Sequence, residues 1–225
     1  FIDNISDGKK IEDFILQYEE TDWQFLKRIA THFNSVLLSD CTEDYGRIYF
    51  GLPEIKNGNV LNCDSYEIVK DITHFNKNEA LYLEENDLLE YTKWKVVSDK
   101  EFKLGEQIIF NNVKCIICKV EIEVYKELLR TVYTIGRIKG IRTPYTTNDK
   151  IFGMSIPATV KDVKGNIMAV HFEIDPVYKS CSNERYFTYA IESSAWYCMP
   201  EKESKVHIYF PTNYESDAIA IHAVR

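Results

Sequence analysis

No apolar run in these 225 residues approaches the ~18 to 20 that a membrane-spanning helix needs, and nothing at the start reads as a signal peptide. Positive charge is also scarce: the formal net charge is −8 and the pI about 5.2. Divided after Phe152, the sequence has 20 basic against 26 acidic residues before the cut and 7 against 9 after it. Nucleic-acid binders carry a positive footprint, because counterion release from phosphates supplies most of their affinity, so this balance argues against that class of partner. Also missing are a Gly-rich phosphate loop, a Gly-x-Ser-x-Gly elbow and any defensible Ser/His/Asp order. No segment is repeated or of low complexity. The six cysteines (Cys41, Cys63, Cys115, Cys118, Cys181, Cys198) are scattered through strand-like text, which fits free thiols in a reducing cytosol rather than a stapled framework. The chain starts at Phe1 without methionine, and the expectation is a fragment of something longer.

What is present is ample core material: 45% hydrophobic and 13% aromatic residues, enough for one or two cores without metals or disulfides. One helix is clear in "TDWQFLKRIATHFN". Thr21 stands three residues before Gln24, the spacing of a capping box, and Trp23, Leu26, Ile29, Ala30 and Phe33 recur at helical intervals, with Gln24, Lys27, Arg28 and Thr31 opposite. "KKIEDFILQYE" suggests a short helical turn. "NSVLLSD", "GRIYFGLPE" and "YEIVKDITHF" then read as strands. From Trp94 the text is almost wholly β, with turns at Asn111–Asn112 and Lys126–Glu127, and with Val96, Ile108, Phe110, Ile116, Val120, Ile122 and Val124 as the buried positions. Tyr125, Leu128, Leu129 and Val132 also fit helical spacing, so this stretch is where the strand reading is most exposed to error.

Residues 141 to 150, "IRTPYTTNDK", form the one convincing linker. Beyond it, "ATVKDVKGNIMAVHFEID" is a hairpin about a Lys-Gly-Asn turn, followed by "RYFTYAI", "KVHIYFP" and "AIAIHAV". Five short strands without a helix suit a small closed barrel of the oligonucleotide/oligosaccharide-binding (OB) type. Its predicted core is Val160, Val170, Phe172, Ile174, Phe187, Val206, Ile208, Phe210, Ile219 and Ile221.

The helix start "YEETDWQFLKRIATHFN", the unit "EFKLGEQIIFNNVKCIICKV", the connection "DKIFGMSIPATVKDVKGNIMAVHF" and the ending "WYCMPEKESKVHIYFPTNYESDAIAIHAV" together resemble, in order and spacing, the hub and spike-base proteins of contractile tails. That family includes phage late control protein D, the VgrG protein of type VI secretion and the baseplate hubs of R-type bacteriocins. The resemblance implies a mainly β (α+β) chain. Residues 1–90 would be the α/β insert of the hub, 91–150 strands of a tube-like β-barrel, and 151–225 an OB-fold domain leading to the spike. It implies a structural homotrimer that adapts a sixfold tail tube above to a threefold spike below, beside other baseplate proteins. It further implies synthesis in the bacterial cytoplasm, assembly into a phage tail or released particle, and no membrane insertion. A first barrel would precede Phe1 and the spike would follow Arg225.

The aromatic cluster in "WYCMPEKESKVHIYFP" then becomes a bend entering a strand. Trp196 and Tyr197, with Tyr186 and Tyr189, are candidate subunit-interface anchors. No catalytic, cofactor-binding or metal-ligating residue is expected. "CIIC" has zinc-knuckle spacing, but in a strand Cys115 and Cys118 face opposite ways and no second pair exists. His32, His74, His171, His207 and His222 make no ligand-spaced pair. Glu19–Glu20 and Glu84–Glu85 lie in acidic surface text without a pocket signature for glycosidase work. Two other readings stand beside the hub: an OB module gripping nucleic acid or sugar, and part of a tail-associated cell-wall hydrolase.

Overall fold

The chain passes three times between two compact units: residues 1–10 and 22–146 make the first, residues 11–21 and 147–225 the second. A computed structural model describes residues 1–41, 45–53, 55–81, 87–176, 185–190 and 198–224. The first unit begins with β1 (Ile2–Asp3), α1 (Asp22–His32), β2 (Leu37–Asp40) and β3 (Arg47–Phe50), the strands forming a small sheet in the order β1-β3-β2. It continues with β4 (Ile55–Val60), β5 (Tyr66–Lys70), α2 (Ile72–Leu81), β6 (Thr92–Val97), β7 (Glu106–Phe110), β8 (Val113–Tyr125) and β9 (Leu128–Gly136). These strands form one six-stranded sheet in the order β4-β7-β8-β9-β6-β5. The sheet therefore runs across the sequence boundary expected at residue 90.

Turn chemistry explains the antiparallel joins. Asn111 and Asn112 both have positive φ (47° and 61°), as do Lys126 and Glu127 (49° and 67°), which is the two-residue turn whose twist matches that of the flanking strands. The β8–β9 stretch that also fits helical spacing is thus a hairpin, paired from Ile116↔Gly136 to Tyr125↔Leu128. One face of the sheet builds a core of Leu61, Val96, Phe102, Ile108, Phe110, Cys115, Ile117, Tyr133 and Ile135. Val96, Ile108, Phe110 and Ile116 are buried as predicted, but Ile122 and Val124 are not, because the hairpin extends beyond the core that the other strands cover.

Three local readings change. In α1, Arg28 and Thr31 are buried and Trp23 is exposed. The Thr31 hydroxyl donates to the Arg28 carbonyl at 2.6 Å, and the Arg28 guanidinium lies over the Phe25 ring, 5.4 Å from its centroid, so polar side chains on that face are covered by partners that periodicity does not reveal. "YEIVKDITHF" is a strand only to Lys70. Asp71 then caps α2, its Oδ1 accepting from the His74 amide at 3.0 Å. Residues 11–21 form no helix; they lie along the second unit, where Leu16 is buried and Phe14 stacks on Phe172 at 5.5 Å.

That second unit is built from β10 (Ser155–Lys164), β11 (Ile167–Phe172), β12 (Tyr186–Tyr189), β13 (Lys205–Tyr209) and β14 (Ile219–Val224), closed as β10-β11-β12-β14-β13. The closure has antiparallel β10–β13 and parallel β12–β14 contacts, and a closed five-stranded barrel is what the sequence led us to expect here. Gly165, at φ 58°, supplies the β10–β11 turn. Val160, Phe172, Phe187, Val206, Ile208 and Phe210 form the core as expected, joined by Met168, Ala218 and Ala220, with Val170 packed against it. Ile174 falls outside because β11 ends at Phe172. Ile219 and Ile221 are displaced because the pairing Ile208↔Ala220 turns the alanine inward.

Candidate functional site

Chemistry-bearing side chains of the first unit converge on a cavity of about 420 Å³ lined by Val36, Asp71, His74, Lys77, Lys93 and Cys118 with the segment 141–146. The Lys93 ammonium donates to Asp71 at 3.1 Å, and the His74 Nε2–H donates to the Arg142 carbonyl at 2.9 Å. Burial pushes the Asp71 carboxyl upward, but the His74 amide and Lys93 outweigh it and hold the group below its ordinary value. Burial lowers the His74 imidazole, with Asp71 opposing. The Cys118 thiol is pushed up to about 12 by burial, and Cys115 to about 11 for the same reason. A thiol held protonated by burial is a poor nucleophile at neutral pH. Cys115 belongs to the sheet core while Cys118 faces the cavity, so the two are divided as their spacing predicts. The Asp71–Lys93–His74 cluster was missed in the sequence because its members come from α2 and β6. The one available signal was an N-capping Asp before Ile-Thr-His.

Glu106, 2% exposed, accepts from Asn59 Nδ2 at 2.7 Å and from the Lys103 amide at 2.9 Å, tying β4 to the turn before β7. Glu19 is exposed, and Glu84 and Glu85 lie outside the described residues. His32 stands edge-on to Tyr145, His171 is half-buried and His207 Nδ1 is 3.2 Å from the Ser155 hydroxyl; the His222 side chain is outside the description. Among the described residues no group of three His, Cys, Asp or Glu side chains could hold a metal ion. The described cysteines Cys41, Cys63, Cys115, Cys118 and Cys198 are free thiols.

On the barrel, three lysines are matched by acids: Lys161 with Glu203 and Lys202 with Asp162, each at 2.8 Å, and Lys205 with Glu173 at 2.8 Å. Lysines neutralised in this way do not make the basic track that single-stranded nucleic acid follows. Of the candidate interface aromatics, Tyr186 is half-buried, its hydroxyl donating to Asp162 at 2.8 Å and its ring under Lys164. Tyr189 packs against the barrel core. Trp196 and Tyr197 lie outside the described residues.

A cluster of exposed apolar side chains lies elsewhere, at the end of the β8–β9 hairpin. Ile122, Val124, Leu128 and Leu129 are 67%, 71%, 72% and 73% exposed, and Tyr125 is exposed beside them. Ile122, Val124 and Leu129 share the face of Val120 and Tyr133, the face that builds the core further along. The opposite face carries Lys119 bound to Glu121 at 2.6 Å and Arg130 bound to Glu123 at 2.5 Å. So amphipathic a hairpin with its apolar face in water is the mark of a contact surface.

No protein-family model matches the chain, and no curated protein matches it. Among solved structures, its fold is similar to that of the E. coli c3393 protein, "a component of the type VI secretion system" that "exhibits structural similarity to T4 bacteriophage tail proteins gp27 and gp5". The TM-score is 0.61 at 13% identity, and the match covers 94% of this chain and 62% of that one. This chain thus spans less than two thirds of the length of that relative. Among the described residues no helix is long and apolar enough to cross a membrane.

Proposed function

We propose that the chain is a structural component of a contractile injection particle: the hub at the spike base, a homotrimer that joins a sixfold tail tube to a threefold spike. The observation that carries this reading is the fold likeness over 94% of the chain, an extent that reaches into both units. The order of motifs along the sequence points the same way. The aromatic residues Tyr186, Tyr189, Trp196 and Tyr197 serve as anchors between subunits, and the partners are the tube protein, the spike and neighbouring baseplate proteins. The product is made in the bacterial cytoplasm and carried in the assembled particle. The role is mechanical rather than enzymatic, in keeping with thiols held protonated and barrel lysines matched by acids. Light scattering on the full-length protein, or a reconstruction of the particle, tests it. Three copies about the axis are expected; a monomer at micromolar concentration, or six copies, overturns it.

A further inference from the structure

On the face of the six-stranded sheet opposite its core, two departures from regular strand sequence and pairing meet at one spot. In the β8–β9 ladder Ile117 pairs with Ile135 and Lys119 with Thr134, so Cys118 is the extra residue of a β-bulge. A bulge re-aims a side chain, and this one turns Cys118 to the cavity lined by α2 and the segment 141–146, its thiol donating to the Ile116 carbonyl at 3.4 Å. Beside it stands Gly136, paired on one side with Lys93 and on the other with Ile116. Its φ is not positive, so the backbone does not call for glycine, and glycine within a ladder weakens it. What the glycine does is keep space. A Cβ there would lie 3.3 Å from Cys118 Sγ, 3.5 Å from Lys93 Cγ and 3.8 Å from Ile141 Cγ1, three side chains that line the cavity. A strand glycine of this kind marks the close approach of a ligand or another backbone.

The cavity, at about 420 Å³, falls within the roughly 300 to 1,000 Å³ of small-molecule sites. Val36, Ile141 and Pro144 give it apolar walls. Its one acid is already engaged: Asp71 Oδ1 accepts from the His74 amide at 3.0 Å and Oδ2 from the Lys93 ammonium at 3.1 Å. Lys93 keeps two further N–H donors, and Lys77, exposed at the rim, pairs with no acid among the described residues. Two ammonium groups beside one engaged carboxylate favour an anion. We infer that this cavity binds a small organic carboxylate, its charged end held by Lys77 and Lys93 and its apolar body lying over Gly136 and Cys118. The Cys118 thiol serves as wall rather than reagent, since burial keeps it protonated. The site lies wholly within the first unit and does not depend on the assembly proposed above.

Hydrocinnamate, a carboxylate with one apolar ring, and its neutral amide are the probes, titrated into the full-length protein with amide NMR shifts as the readout. Hydrocinnamate should shift the His74, Cys118 and Gly136 amides saturably, with a dissociation constant on the order of 1 mM. The neutral amide should bind roughly 10-fold more weakly, because it lacks the charge that the lysines answer. Lys77→Gln, at an exposed position, should keep the wild-type melting temperature and weaken hydrocinnamate roughly 5-fold. Gly136→Ala raises the cavity floor and should weaken it roughly 10-fold. No saturable shift at these amides, equal affinity for acid and amide, or unchanged affinity in Lys77→Gln overturns the site. Shifts confined to residues 122–129 overturn it too, since they mean adsorption to the exposed hairpin. A protein that scatters as a monomer yet binds hydrocinnamate in this way supports the site and overturns only the assembly.

Discussion

Phe210 is wholly buried in the barrel core with Phe172, Phe187 and Ile208, and its backbone amide bonds the Met154 carbonyl at 3.0 Å. Replacing it by alanine removes that packing on a closed surface that cannot collapse, so a loss of about 3 to 5 kcal/mol in unfolding free energy is expected by denaturant titration. Asp162 offers a second test. The hydrogen bond from Lys202, and then that from the Tyr186 hydroxyl, hold its carboxyl down to about 2, against an ordinary 3.8. A carboxyl lowered by folding contributes stability that is present above about pH 4 and lost as the pH falls through about 2. Carbon-13 detected titration should place the Asp162 midpoint near 2, and Lys202→Met should move it upward. An unshifted midpoint in the variant would mean that Lys202 is not the cause. Buried Arg28 and Glu106 show what a residue-by-residue reading misses: each is polar in the sequence, and only its partners explain its burial.

Among the elements, the hairpin turns were legible because their chemistry is local. Asn111–Asn112 and the Gly165 turn carry residues that tolerate positive φ, and the strands follow from them. Lys126 and Glu127 hold the same geometry without that tolerance. Replacing the pair by Asn-Gly should raise stability by about 0.5 to 1 kcal/mol while leaving the register from Ile116 to Tyr125 unchanged. A destabilised product with altered amide exchange in β9 would show that the turn is set by its neighbours instead. α2 was not legible. Its residues alternate like the strand before them, and only the Asp71 cap, together with the rings of His74 and Phe75 edge-on to Tyr91, separates helix from strand. Gly140 is a similar case: a Cβ there would meet the Glu90 carbonyl oxygen at 1.9 Å, a constraint from a segment fifty residues earlier.

For the whole molecule, the return of residues 11–21 to the barrel is the organising feature. Leu16 joins the barrel core and Phe14 lies against both Phe172 and Phe187, while Asn148 donates to the Tyr18 carbonyl at 2.8 Å. Leu16→Ala should therefore cost the barrel about 2 to 5 kcal/mol, read as faster amide exchange in β10–β14 with exchange in β6–β9 unchanged. Equal acceleration in both would show that the two units unfold as one. The sequence by itself determined what depends on neighbours a few residues apart: α1, the alternating strands, the two-residue turns and the five strands of the barrel. Only the tertiary structure decided which alternating faces are covered. Ile122 and Val124 read like Val96 and Ile108, yet the strands that shield the latter end before they reach the former. It also decided where residues 11–21 belong and which polar groups meet. Those outcomes depend on contacts between segments far apart in the chain, and alternation along one strand carries no record of how long its neighbours are.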